Sequence, residues 1–196
     1  MSREFVIWNW GRDVKNAVRL EEMTGFAQVR HLILGIPFAG NFPENVEFRM
    51  NRDTPRDTVL TDFLSNVDSL IVVSERLKDF FEQRKIKSVE YVPVTIVDHK
   101  GRPVAPKYFI VHTCDDIDCL DLAQSQPTYS PIRKQAITLV EKMVLDPSRI
   151  DPERELFQVK DLDGFTFATR ELADAIKAAK FTSIRWLPIA DYDPRA

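Results

Sequence analysis

Glycine is scarce in this sequence, with 6 in 196 residues, and none falls in a G-x-G-x-x-G or G-x-x-x-x-G-K pattern. Loops that cradle phosphate need glycine where backbone N–H groups approach the ligand. A nucleotide-binding loop of that kind is therefore excluded. Cysteine is scarcer still, with Cys114 and Cys119 alone. Two thiols in a chain this long do not make a disulfide framework. Histidine is limited to His31, His99 and His112, which leaves few general bases titrating near neutral pH. Neither an H-E-x-x-H nor a G-x-S-x-G motif occurs. The longest apolar runs, around Leu32 to Phe38 and Leu70 to Val73, fall far short of the ~20 residues of a membrane span. Met1-Ser2-Arg3-Glu4-Phe5 lacks the apolar core of a secretory signal. The expectation is a cytoplasmic protein with reduced thiols and no membrane partner.

The residues that are present describe an ordinary globular chain: 44% hydrophobic, 29% charged, formal net charge −3. A chain of this length buries roughly 70% of the surface its unfolded form exposes, so it needs no metal or disulfide to fold. Lys and Arg are scattered among more numerous acids. Phosphate binding rests on clustered bases, so direct nucleic-acid binding is not expected.

Along the chain, Val6 to Trp10 reads as a strand and Asp13 to Met23 as a short helix stopped by Gly25. His31 to Phe38 reads as a buried strand. Val46, Phe48 and Met50 alternate with polar residues, the period of a half-buried strand. Asp57 to Leu64 suggests a short helical element. Ser74 is a good N-cap for a helix with Leu77, Phe80 and Phe81 on one face. Val89 to Val94 is the next strand, with Pro93 expected at an edge or bulge. A turn over Asp98 to Pro103 then leads to a strand over Tyr108 to Val111. Ile137 to Leu145 and Leu156 to Val159 read as further strand segments.

One internal echo stands out. VSERLKDFFEQRKIKSVEYVPV (73–94) lies on ATRELADAIKAAKFTSIRWLPI (168–189) without a gap. Ser74 meets Thr169, Leu77 meets Leu172, Phe81 meets Ile176, Tyr91 meets Trp186 and Pro93 meets Pro188. Each copy reads cap, amphipathic helix, strand. The expected fold is mixed α/β or α+β. Helices pack on a shared β-sheet, with two related helix–strand units near 70–95 and 165–190. The chain forms one unit over 1–196, or two lobes over 1–68 and 69–196, as a monomer or homodimer.

The segments LIVVSERLKDFFEQ (70–83), VEYVPVTIVDHKGRPVAPKYFIVHTCDDIDCLDLAQS (89–125) and FATRELADAIKAAKFTSIRWLPI (167–189) resemble the bacterial immunity proteins that accompany polymorphic toxins. That group was long carried as a domain of unknown function. The resemblance covers roughly Phe48 to Ile189, and its motifs are mostly structural. It implies a protein that binds a cognate toxin inside the producing cell and blocks it. For the group's typical member the toxin is a nuclease used in kin discrimination. The resemblance carries no catalytic residues and no cofactor.

The acidic run Asp115, Asp116, Asp118 and Asp121 is the candidate toxin-binding segment. A nuclease cleft is basic because it holds phosphates, and acidic side chains steer toward such a surface. The same run permits two other readings: a solvated turn, or hard-cation ligands of a metal-dependent hydrolase, although the glycine and distal glutamate of an EF-hand loop are missing. A non-enzymatic adaptor is a further alternative. His112 and Cys114 share a strand face, which packing explains better than zinc. Trp8 and Trp10 face one side of their strand and are expected in the core.

Overall fold

The computed structural model describes residues 3–27, 31–32, 34–104, 107–133 and 135–194. Twelve named strands run in the order β1 (Phe5–Trp10), β2 (Arg19–Thr24), β3 (Glu47–Met50), β4 (Phe63–Asn66), β5 (Val72–Ser74), β6 (Val89–Val97), β7 (Tyr108–Thr113), β8 (Pro127–Tyr129), β9 (Ile137–Val140), β10 (Leu156–Gln158), β11 (Thr166–Thr169) and β12 (Ile184–Pro188). The named α-helices are α1 (Glu75–Arg84), the single turn α2 (Leu122–Ser125) and α3 (Arg170–Ala178).

The expectation of helices packed on a shared sheet is overturned. The chain is mostly β. Six strands close a barrel in the order β2-β3-β6-β7-β5-β4, β10-β11-β1-β12 form a separate open sheet, and β8 and β9 pair alone. The two echoing segments lie in different sheets. Two expected helices do not form: Arg19–Thr24 is β2, and Asp57 to Asp62 is irregular chain with an isolated bridge at Val59, leading into β4. Tertiary pairing overrode weak local periodicity in both. The expected strand over His31 to Phe38 is not formed: among its described residues His31 and Leu32 are helical and the rest is turn and irregular chain, with Ile33 outside them.

Beneath that difference lies a duplication. In the barrel, β5 and β6 both run antiparallel to β7, which lies between them, and α1 connects them. In the open sheet, β11 and β12 flank β1 in the same way and α3 connects them. The registers agree residue by residue. Val73 faces Phe109 as Ala168 faces Val6, and Tyr91 faces Val111 as Trp186 faces Trp8. The outer strands agree as well, since Phe63 faces Val73 as Leu156 faces Ala168. Four strands and a helix are thus built twice, and β1, at the other end of the sequence, completes the second unit.

The pleat explains the packing. Phe63, Val73 and Val111 of the first unit and Leu156, Ala168 and Trp8 of the second turn one way, into a common core with Leu77 and Phe81 of α1 and Leu172 and Ile176 of α3. Their strand neighbours turn the other way. Leu64, Val72 and Ile110 fill the barrel with Leu20, Phe48 and Met50. Phe157, Phe167, Phe5 and Ile7 pack on Cys119, Leu120, Ile137 and Val140. Each helix starts at the expected cap: Ser74 accepts from the Leu77 N–H and Thr169 from the Leu172 N–H.

Candidate functional site

The segment 115–121 is threaded between two parts of the fold. Ile117 bridges to Val159 beyond β10, and Leu120 bridges to Leu145. Cys119 and Leu120 are buried, while Asp115 and Asp118 are exposed. The four aspartates do not converge. Asp115 is exposed, and its N–H donates to the Gly35 carbonyl at 2.9 Å. Asp118 is exposed beside Arg149 at 3.8 Å. Asp121 caps α2, accepting from the Gln124 N–H at 3.0 Å. Hydrogen bonds from Gln124 hold its carboxyl below the usual carboxylate range. The hydrolase reading needs these oxygens around one ion, and they are dispersed.

Asp116 differs from the other three. It lines a cavity of about 260 Å³ whose wall also carries Asp68 and Asp163. Burial pushes its carboxyl up to about 6, helped by the charges of Asp163, Asp161 and Asp115 against the opposing Arg154. Its Oδ1 has no hydrogen-bond partner among the described residues. The other two carboxylates are partly engaged: Asp68 accepts from the Met23 N–H at 2.6 Å, and Asp163 pairs with Arg133. Arg154 donates to the carbonyls of Cys114 and Asp115. Asp68 and Asp163 sit on the tips of the β4–β5 and β10–β11 hairpins, equivalent positions in the two units. Local spacing gave no sign of them, because folding alone brings them beside Asp116.

A second cluster joins Glu90, His112 and Cys114, whose ligand atoms lie within 4.8 Å of one another. Glu90 and His112 are opposed across β6 and β7. The Glu90 carboxylate accepts from the N–H groups of Phe38 (2.7 Å) and Ala39 (2.8 Å). The His112 Nε2 lies 3.0 Å from the Ile36 carbonyl and donates to it. Burial lowers the His112 pKa, so the ring stays neutral at physiological pH. Burial and the nearby Glu90 push the Cys114 thiol up to about 12, and burial does the same for Cys119. A thiol held that high is not a nucleophile at neutral pH. These groups clamp the segment 36–39 onto the barrel.

Trp8 is buried, as expected, against Phe63 and Trp186. Trp10 is half-buried, with the guanidinium groups of Arg12 and Arg19 over its ring at 5.4 and 5.6 Å. The indole N–H groups of both lack a partner among the described residues.

At 115–121 and the hairpin tips the carboxylates are dispersed, and one of them, Asp116, lines a cavity with Asp68 and Asp163. The model of the Immunity protein family (Imm11) matches residues 8–191, nearly the whole chain, and the protein belongs to that family. Its class is thereby immunity and toxin neutralisation. No curated protein matches the sequence. No helix among the described residues is long and apolar enough to cross a membrane.

Proposed function

We propose that the protein neutralises a cognate toxin by binding it stoichiometrically, without catalysis of its own, and that the toxin is a nuclease. The match to the immunity family over residues 8–191 carries this reading. Two features support it. The thiols are held protonated by burial. The carboxylates of Asp115 and Asp118 are exposed and that of Asp121 is part-exposed on one segment, a surface to which a phosphate-binding cleft is complementary. Occlusion at cellular concentrations requires an interface of roughly 1,600 Å² and a Kd of about 1 nM or below. Co-expression with the product of the neighbouring toxin gene is expected to restore growth, and the two proteins to co-purify as a defined complex that lacks nuclease activity. Restored growth with no complex detectable by calorimetry or native mass spectrometry would overturn the reading.

A further inference from the structure

The two hairpins that carry Asp68 and Asp163 enclose more than the acidic cavity. A second cavity, of about 160 Å³, lies on the other side of the same tips and is lined by Trp8, Trp10 and Asn66. Ser69, Leu70 and Gly164 border both. The two units place these hollows in corresponding positions. One lies beyond the end of β7 beside β10, the other beyond the end of β1 beside β4. The two cavities adjoin through the shared residues Ser69, Leu70 and Gly164, one lined by carboxylates and the other by indoles.

Charge and hydrogen bonding state what would occupy them. Asp68, Asp116 and Asp163 face the acidic end, where Arg133 pairs with Asp163 and Arg154 is spent on carbonyls. The charge of Arg154 still acts on Asp116, so the described residues leave the three carboxylates one cation short, and Asp116 Oδ1 has no partner among them. The volume exceeds the roughly 150 Å³ that admits a benzene ring, so a long basic side chain has room. At the other end, Trp8 is 6% exposed, and neither its Nε1 nor that of Trp10 has a partner among the described residues. A buried donor left unpaired costs about 1–3 kcal/mol, and peptide carbonyls would satisfy it.

Resting on the toxin-binding reading, we propose that this pair of adjoining cavities receives an extended segment of the toxin. A Lys or Arg of that segment enters the cavity at Asp116, and its backbone carbonyls accept from the indoles of Trp8 and Trp10. The arrangement uses both units at once, and only Asp116 among the four aspartates of 115–121 takes part in it.

The test has two arms on the full chain. In the first, the ¹⁵N-labelled protein is titrated with acetyl-Gly-Arg-Gly-amide and, separately, with the same peptide carrying neutral citrulline in place of arginine. The arginine peptide is expected to shift the indole N–H signals of Trp8 and Trp10 saturably, with a Kd on the order of 1 mM. Citrulline is expected to bind at least tenfold more weakly. Asp116→Asn, which conserves shape, should abolish the difference between the peptides. In the second arm, toxin binding is measured for the wild type, Asp116→Asn, Trp10→Phe and the distant control Glu171→Gln. The first two substitutions should each weaken the complex at least tenfold, and the control should leave it unchanged. Equal response to both peptides, or none, overturns the proposal. So does toxin affinity indifferent to Asp116→Asn and Trp10→Phe, in which case toxin binding itself still stands. Failure of the wild-type chain to bind toxin removes the toxin reading, and this occupant with it.

Discussion

At the scale of single residues, the two aspartates with the most contrasting surroundings make opposite demands on the fold. Asp62 is well served. Burial works against its charge, but Arg76, Ser74 and Thr182 all donate to it, at 2.8 to 3.1 Å, and hold its carboxyl below the usual range. Its folded pKa is depressed, so its stabilisation is present above the unfolded value of about 3.9 and disappears as pH falls through the folded one. Asp62→Asn should cost about 2–3 kcal/mol at pH 7, because it leaves Arg76 and two hydroxyls short of an acceptor. Urea denaturation should show this loss, with the two proteins converging only on the acid side of pH 4. Asp116 is the reverse. Its folded pKa of about 6 lies above the unfolded value, so its ionised form opposes folding. The contribution that favours folding is complete below about pH 4 and is lost as pH rises through 6. Burial drives this, the charges of Asp163, Asp161 and Asp115 add to it, Asp68 shares the cavity, and Arg154 opposes it. Discounted for the solvent that reaches a half-buried carboxylate, Asp116→Asn should raise stability by about 1 kcal/mol at pH 7.5 and by nothing at pH 4. A substitution that stabilises the free protein while weakening its complex is the signature of a charge kept for recognition. An unchanged or lowered denaturation midpoint at pH 7.5 would remove that argument.

At the scale of elements, the two capped helices compare almost directly. Ser74 and Thr169 bind the third N–H of their helices at 3.3 and 3.2 Å. Thr169→Ala should cost about 1 kcal/mol. Ser74→Ala should cost more, because its hydroxyl also donates to Asp62 at 2.8 Å. A double-mutant cycle between Ser74 and Asp62 should return a coupling of about 0.5–1.5 kcal/mol, and one between Thr169 and Asp62 close to zero. These helices were legible because caps and amphipathic spacing are local signals. So was the turn at Asp98, whose carboxylate accepts from the N–H groups of Lys100 and Arg102. Pro93 was legible too: it pairs with Phe109, while the other neighbour of β6 begins pairing only at Thr95. The strands β2 and β4 were not. Their bonds run to β3 and β5 and to each other in parallel, and four to six residues with few apolar side chains hold no periodicity strong enough to announce them. The barrel closes through those two strands, which is why a sheet with helices was expected and a barrel is found.

At the scale of the whole molecule, the same contrast governs the duplication and the candidate site. The echo over 73–94 and 168–189 is visible because both copies are continuous in sequence. Its extension is not. YFIVHT of β7 corresponds to FVIWNW of β1, but in the first unit that strand follows its partner β6, whereas in the second it lies at the opposite end of the sequence. The acidic run was legible as a stretch of charge, but the cavities were not, since Asp68 and Asp163 reach Asp116, and Trp8 and Trp10 the adjoining cavity, from separate segments. A permuted chain tests this directly. Val6 lies opposite Pro188 and Trp10 opposite Ile184, so the end of β12 is already beside the start of β1, as β6 and β7 are beside each other across their hairpin. Joining residue 194 to residue 3 with a short Gly/Ser linker, and opening the chain before Ile132, which is 90% exposed, removes no strand pair of either unit. Closing so short a gap is entropically cheap, and exposed loop tips tolerate new termini. The permutant should therefore unfold in a single urea transition within about 2 kcal/mol of the parent and keep its near-UV dichroism. Its second unit would then read strand, strand, helix, strand, strand, the same order as the first. If it collapsed without fixed tertiary signals, the N-terminal strand would hold a role in folding that the first unit's β7 does not share, and the equivalence of the two units would end at their geometry.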